Sequence, residues 1–225
     1  VASDRGYSIE YVFDTHVHAD HISGGRELAD NVGATYHLSA DAVERGVSYD
    51  YRGLGRNEVF SVGGVDIKSV STPGHTSEGV SYLVDSEAVL TGDSLFVDSV
   101  GRTELQFGEE DAATGAELLY ESLHGTLLAE PDTVTVLPGH FAVSADGTTG
   151  ATHGEPVSTT VGEARTGLDL LGIDRDVFVR RLAGSAPDKP ANYETVIDIN
   201  TGGRTPDEGT ATELELGPNN CAATE

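Results

Sequence analysis

The chain has 225 residues, a length that fits one domain of ordinary to large size or two small ones. Its 38 acidic residues outnumber the 13 Lys and Arg, which gives a formal net charge of −25. This charge repels phosphate backbones and anionic lipids, so we expect neither a nucleic-acid nor a membrane partner. Because the single cysteine, Cys221, cannot form an internal disulfide, we expect a cytoplasmic protein.

Strands dominate the predicted elements of the first half. Residues 9–15 are rich in β-branched and aromatic side chains and predict a buried strand. A short helix through Leu28 and Ala29 and a strand over residues 34–38 are predicted next. Period-2 alternation around paired glycines or short polar turns then predicts two hairpins, over residues 58–70 and 79–91.

Helices dominate the second half. The spacing of leucines predicts a helix over residues 109–128, and a strand over 133–137 follows. Residues 146–156 are predicted to be a loop, and two helices are expected over 157–171 and 174–183, the second with Asp174 as its N-cap. The chain is therefore predicted to be mixed α/β.

One dense polar cluster follows the first predicted strand directly, in the sequence HVHADH (residues 16–21). Buried imidazole and carboxylate groups each need a polar partner, so such a cluster is rare in a core. Imidazole and carboxylate suit both Zn²⁺ and Fe²⁺. We interpret the segment as metal-binding, with a solvated polar turn as the alternative. Its candidate ligands are His16, His18, Asp20 and His21.

Three later segments share one arrangement, in which a predicted strand ends in small turn residues and a possible ligand follows. The segments are TPGH, TGD and LPGH, and they end at His75, Asp93 and His140. Each alone is typical of an ordinary turn. Together with the first cluster they predict that four strands deliver ligands to one edge of a sheet.

The four segments, THVHADH, TPGHT, TGDSLF and LPGH in this order, resemble the signature of the metallo-β-lactamase superfamily. The resemblance runs from about residue 11 to residue 202. It implies an αββα sandwich with the metal at one edge of the sheets. Members usually have several strands before the first histidine motif, so the first N-terminal strands are expected to be missing here. We predict an N-terminally incomplete domain over residues 1–204 and a polar tail over 205–225.

Shorter matches favour one branch of the superfamily. GRTELQFG (residues 101–108) resembles the GRTDFQ-type segment of persulfide dioxygenases, also called sulfur dioxygenases. Residues 158–165, 189–193 and 199–202 resemble later segments of the same enzymes. The resemblance implies oxidation of a low-molecular-weight thiol persulfide by O₂ to sulfite. The alternative is a dinuclear thioester hydrolase of the glyoxalase II (hydroxyacylglutathione hydrolase) type. A metal-binding scaffold without activity is a third hypothesis.

The two activities imply different metal sets for the same residues. The dioxygenase resemblance implies one Fe²⁺ per chain, bound by His16, His75 and Asp93. The remaining groups would then lie outside the coordination sphere, with Asp20 and His140 as the candidate catalytic residues that handle protons. The hydrolase resemblance implies two Zn²⁺, or a mixed Zn/Fe pair. One ion would take His16, His18 and His75, the other would take Asp20, His21 and His140, and Asp93 would bridge them.

Two arginines are candidates for substrate binding. Arg102 and Arg165 could hold the carboxylates of a small thiol, since a guanidinium pairs with a carboxylate through two hydrogen bonds. A structural ion pair is the alternative for each. The implied partners are a small thiol or persulfide and O₂. A homodimer and a fused or separate rhodanese domain are further expectations from the resemblance.

The acidic composition predicts a response to salt. With only two lysines and a net charge of −25, the chain is typical of a halophilic protein, and a moderately acidic mesophilic protein is the alternative. At 1 M salt, charges are screened over about 3 Å, which reduces repulsion among the carboxylates. We expect the Tm to rise between dilute buffer and molar KCl. A Tm that stays constant or falls would contradict the halophilic origin.

Overall fold

The computed structural model describes residues 1–141, 152–185 and 189–214. The chain divides into two units. The first unit comprises Val1–Gly55 and Pro190–Asn219, and the second comprises Arg56–Lys189 and Asn220–Glu225. Residues 146–151 of the predicted loop and residues 215–225 of the predicted tail lie outside the described residues.

The strands in chain order are β1 (Tyr11–Phe13), β2 (Thr35–Ser39), β3 (Arg52–Leu54), β4 (Val59–Val62), β5 (Val65–Ser71), β6 (Val80–Val84), β7 (Ala88–Gly92), β8 (Thr135–Pro138) and β9 (Thr159–Thr160). The α-helices are α1 (Gly25–Val32), α2 (Glu104–Gly125), α3 (Val161–Gly167), α4 (Arg175–Ala183), α5 (Tyr193–Asn200) and α6 (Glu208–Leu214). Short 3₁₀ helices span Ser3–Arg5, Ala40–Arg45, Leu127–Ala129 and Asp169–Gly172.

The first unit is built on a three-stranded sheet in the order β1-β2-β3, with both pairs parallel. Its core is apolar and includes Val12, Val17 and Leu38, and Ile197 of α5 packs against it. The predicted first strand is confirmed over three residues, and β3 was not predicted. Within the predicted polar tail, residues 208–214 form α6.

The second unit is built on a six-stranded sheet in the order β4-β5-β6-β7-β8-β9. Both predicted hairpins form, β4–β5 and β6–β7. Strands β5, β7 and β8 run in the same direction, because β6 is antiparallel to both of its neighbours and β8 is parallel to β7. Their carboxyl ends therefore lie at one edge of the sheet.

The helices of the second unit cover a core that includes Leu119, Leu123 and Phe178, all fully buried. Two predicted helices have different bounds in the structure: Glu104–Gly125 replaces residues 109–128, and Val161–Gly167 replaces residues 157–171. Helix α2 begins at Glu104, and Gly108 interrupts it with φ 76°. Helix α3 begins only at Val161, because the residues before it pair with β8 and Thr160 caps the helix through the Glu163 backbone N–H.

Helix α4 begins where the sequence predicts. Asp174 occupies the N-cap position, but its side chain makes no capping hydrogen bond. The predicted capping contact is therefore absent, although the position of the helix end is correct. The backbone carbonyl of Asp174 accepts from the N–H groups of Val177 and Phe178, which begins the helical hydrogen-bond pattern.

Candidate metal centre

The first group of predicted ligands lies in the first unit, on the loop between β1 and α1. We call residues 14–23 the histidine loop. His16 is buried, and its Nδ1 lies 2.9 Å from the hydroxyl of Thr15. The ring of His18 lies between two other imidazoles, with centroid distances of 4.3 Å to His16 and 4.1 Å to His21.

Three side chains of this loop form one group of possible ligands. His18, Asp20 and His21 each offer one ligand atom, and these atoms all lie within 4.8 Å of one another. The Asp20 side chain is 2% exposed, and its Oδ2 lies 3.1 Å from Nδ1 of His21. The histidine loop thus has the donor types and the spacing that a divalent metal ion requires.

Asp14 lies behind this group and was not predicted from the sequence. It accepts hydrogen bonds from the hydroxyls of Ser23 and Tyr36, the latter at 2.5 Å. Burial by itself would raise the pKa of Asp14, but the hydrogen bond and charge of His18, with the two hydroxyls, lower it to about 2. Asp14 therefore presents a carboxylate to His18, an arrangement that orients an imidazole ligand.

The second group lies in the second unit, at the edge where β5, β7 and β8 end. His75, Asp93 and His140 follow these three strands. Nε2 of His75 lies 3.5 Å from Oδ2 of Asp93, and Nδ1 of His140 donates to Oδ1 of the same carboxylate at 2.8 Å. The topology of this sheet thus brings together three of the predicted ligands that are far apart in sequence.

Glycine is required at two positions around Asp93. A Cβ at Gly139 would lie 2.6 Å from Oδ1 of Asp93, where His140 also makes its contact. A Cβ at Gly101 would overlap the backbone carbonyl oxygen of Asp93. These close backbone approaches explain why the LPGH and GRTELQFG segments carry glycine at these positions.

Residues 101–106 hold the turn that carries His75. The backbone carbonyl of Arg102 accepts from Nδ1 of His75 at 2.8 Å. Gln106 accepts from the Ser77 backbone N–H and donates to the Ser77 hydroxyl, both at 2.7 Å. The turn is therefore fixed at His75 and at Ser77 by one segment of the chain.

The donor chemistry of this second group fits a metal ion. Because the carbonyl of Arg102 accepts from Nδ1 of His75, Nε2 is the ring atom that remains to bind a metal ion, and it faces Asp93. Asp93 supplies a carboxylate that is 2% exposed at its side chain. An imidazole nitrogen and a buried carboxylate are ligands that both Fe²⁺ and Zn²⁺ bind.

The two predicted substrate-binding arginines are both in ion pairs. Arg102 is 1% exposed and pairs with Glu104, whose side chain is 3% exposed. Arg165 pairs with Asp132 and donates to the carbonyl of Leu128 at the surface. Each guanidinium is thus engaged by a protein carboxylate, as in the structural alternative, and a role in substrate binding stays a prediction.

The two ion pairs differ in burial, so breaking each of them is expected to lower the free energy of unfolding by a different amount. Glu104→Ala leaves the Arg102 charge buried, and we expect it to lower the free energy of unfolding by about 3–5 kcal/mol. Asp132→Ala breaks the exposed pair with Arg165 and is the matched control, with an expected loss below about 1 kcal/mol. Urea denaturation of both variants tests this. Equal small losses would contradict a structural role for the buried pair.

The other histidines are placed apart from these two groups. His37 is buried, its Nδ1 lies 2.9 Å from the carbonyl of Thr35, and its ring packs against Phe13. His124 lies against Tyr120, and burial lowers its pKa. His153 is exposed, and Cys221 lies outside the described residues.

Among the helices in the described part of the chain, none is long and apolar enough to cross a membrane.

Comparison with known proteins identifies the family. A sequence model of the metallo-beta-lactamase superfamily matches residues 2–140. The chain belongs to this superfamily. The metallo-β-lactamase family predicted from the four motifs is therefore confirmed, as is its mixed α/β fold. Membership makes the protein one of a superfamily of metal-dependent hydrolases and oxidoreductases.

Two of the similar proteins within the metallo-β-lactamase superfamily carry different names. Hydroxyacylglutathione hydrolase of Brucella ovis is 30% identical over 140 residues, which are 62% of this chain and 48% of the relative. The chain thus spans about half the length of the curated relatives it matches. The crystal structure of ETHE1 from Myxococcus xanthus is 28% identical, with a TM-score of 0.73 over 90% of this chain and 81% of that one.

A third comparison supports the fold alone. A metallo-beta-lactamase from Staphylococcus aureus has a TM-score of 0.78 over 90% of this chain and 61% of that chain. Its sequence identity is 24%, so it carries no argument about activity.

Proposed function

We propose that the protein is a persulfide dioxygenase that binds one Fe²⁺ through His16, His75 and Asp93. The substrates would be the persulfide of a small thiol and O₂, and the product would be sulfite. The observation that carries the proposal is the GRTELQFG segment, which resembles persulfide dioxygenases in sequence and here fixes the His75 turn. The likeness to ETHE1, a persulfide dioxygenase, over 90% of the chain supports it.

The contacts of Asp93 are compatible with the proposed single metal ion. Its Oδ1 accepts from His140, while its Oδ2 faces Nε2 of His75. His140 thus supports the carboxylate through a hydrogen bond. This is the contact expected of a group outside the coordination sphere, which orients a ligand instead of binding the ion.

The reaction balances with water from the solvent: RSSH + O₂ + H₂O gives RSH + SO₃²⁻ + 2H⁺. The outer sulfur is oxidised, O₂ is reduced, and the S–S bond breaks. His16, His75 and Asp93 would hold the Fe²⁺, which when bound would supply the activation of O₂. His140, 27% exposed at its side chain, would take up one of the released protons.

A second candidate function has its own support. The group formed by His18, Asp20 and His21 offers a further set of ligands, as a two-metal hydrolase requires. Hydroxyacylglutathione hydrolases are among the curated relatives that match this chain. A thioester hydrolase with two metal ions is therefore the alternative, and it would use His140 as a ligand.

One pair of assays separates the two functions. In the first assay the Fe²⁺-loaded protein is given glutathione persulfide, and O₂ consumption and sulfite release are measured. In the second assay the Zn²⁺-loaded protein is given S-lactoylglutathione, and hydrolysis of the thioester is measured. We expect one sulfite per O₂ consumed and no thioester cleavage. An exposed-site variant, Asp111→Ala, serves as a control that retains activity. Thioester cleavage without sulfite would overturn the dioxygenase proposal.

A further inference from the structure

We propose that Asn200 is a positioning residue that holds the histidine loop in its metal-binding shape. The inference rests on the proposed function only in taking this loop to serve a metal ion. Asn200 is the last residue of α5 and is 7% exposed. It lies more than 170 residues from the loop in sequence, and both belong to the first unit.

The side-chain amide of Asn200 makes three hydrogen bonds to the backbone of the loop. Its Nδ2 donates to the carbonyls of His18 at 2.9 Å and of His21 at 2.8 Å. Its Oδ1 accepts from the N–H of Ser23 at 3.0 Å. These contacts enclose the stretch that carries His18, Asp20 and His21, the three side chains whose ligand atoms lie together.

The chemistry of asparagine fits this task. A backbone outside helices and sheets has no regular partner for its N–H and C=O groups, and buried groups of this kind need one. An asparagine amide has two N–H donors and a carbonyl acceptor. Asn200 uses both functions at once, toward two carbonyls and one N–H. Aspartate would have the same size but no donor, and glutamine would place the amide one methylene further out.

Asn200 is itself held in place by neighbouring residues. Tyr49 donates from its hydroxyl to the Asn200 backbone carbonyl at 3.0 Å. Ser48 donates to the carbonyl of Thr201 twice, from its backbone N–H at 2.9 Å and from its hydroxyl at 3.0 Å. The end of α5 is thus fixed next to the segment between the Ala40–Arg45 turn and β3. It can therefore serve as a fixed support for the histidine loop.

Two variants of the full chain test this role. Asn200→Ala removes all three contacts, and Asn200→Asp keeps the size and the acceptor but loses both donors. Asn31→Ala, at an exposed position of α1, is the matched control. Hydrogen exchange of the metal-free proteins is measured over residues 14–24. We expect faster exchange there in both Asn200 variants, with the strands of the second unit unchanged.

Metal binding provides the second measurement. Co²⁺ is titrated into each protein, and its absorption bands report the arrangement of ligands. We expect the Co²⁺ dissociation constant to rise about 10–100-fold in the Asn200 variants, with an altered spectrum, and to stay at the parent value in Asn31→Ala. Unchanged exchange together with unchanged Co²⁺ binding in folded Asn200→Asp would overturn the proposal.

The two proposals fail in different ways. If the parent protein binds no metal, the proposed function fails, while the exchange rates of the histidine loop still decide whether Asn200 holds it. If the parent binds metal and makes sulfite, but the Asn200 variants keep parental exchange rates, only the positioning role is overturned.

Discussion

Asp93→Ala is expected to reduce the bound iron from about one ion per chain to nearly none. The variant removes the only anionic group of the proposed three-ligand set, and the two neutral imidazoles that remain cannot offset the charge of Fe²⁺. It also leaves His140 without the carboxylate to which it donates at 2.8 Å. Iron content of the purified variant, measured by mass spectrometry beside the parent, tests this.

The control for Asp93→Ala is Asp111→Ala, which removes an exposed carboxylate from α2. It should keep the iron content of the parent, so that a general loss of negative charge is excluded as the cause. Iron retained at parental content in a folded Asp93→Ala protein would show that Asp93 is not a ligand.

His140→Ala is expected to retain its iron but to lose activity by about 10–100-fold, the usual range for a group that supports a ligand from outside the coordination sphere. The hydrogen bond to Oδ1 of Asp93 is lost, so the carboxylate is less well oriented, and a proton acceptor is removed. The rate of sulfite release and the iron content are measured on the same preparation.

The alternative function predicts a different result for the same variant. In a two-metal hydrolase His140 is itself a ligand, so its loss empties one site. A parent ratio near two metal ions per chain that falls to one in His140→Ala would contradict the dioxygenase and support the thioester hydrolase. His124→Ala, a change at a histidine apart from both ligand groups, should leave the ratio unchanged.

Local patterns predicted much of the fold. Alternating residues around Gly63-Gly64 predicted the β4–β5 hairpin, because paired glycines favour the positive φ values found there. The start of α3 was missed, because pairing of Thr159 and Thr160 with β8 overrode the helical spacing of the residues that follow. Strand β3 is three residues long and carries a glycine, so it has no clear period of its own.

The candidate site likewise contains some residues that the sequence predicts and others that it does not. The predicted ligands His75, Asp93 and His140 each follow a strand, which a local pattern can show. Asp14 and Asn200 act through contacts that the sequence alone does not show. Asp14 gave only the weak signal of a carboxylate at a strand end, and Asn200 meets its partners across more than 170 residues. Such supporting groups depend on tertiary structure, so sequence patterns do not identify them.

We propose that each chain binds one iron through His16, His75 and Asp93. A crystal structure of the Fe²⁺-loaded protein, with anomalous diffraction recorded at the iron edge, tests it most directly. We predict a single anomalous peak per chain, with side-chain atoms of these three residues about 2 Å from it. Two peaks per chain, or His75 and Asp93 lying more than about 10 Å from His16, would contradict the account, since ligand bonds cannot span that distance.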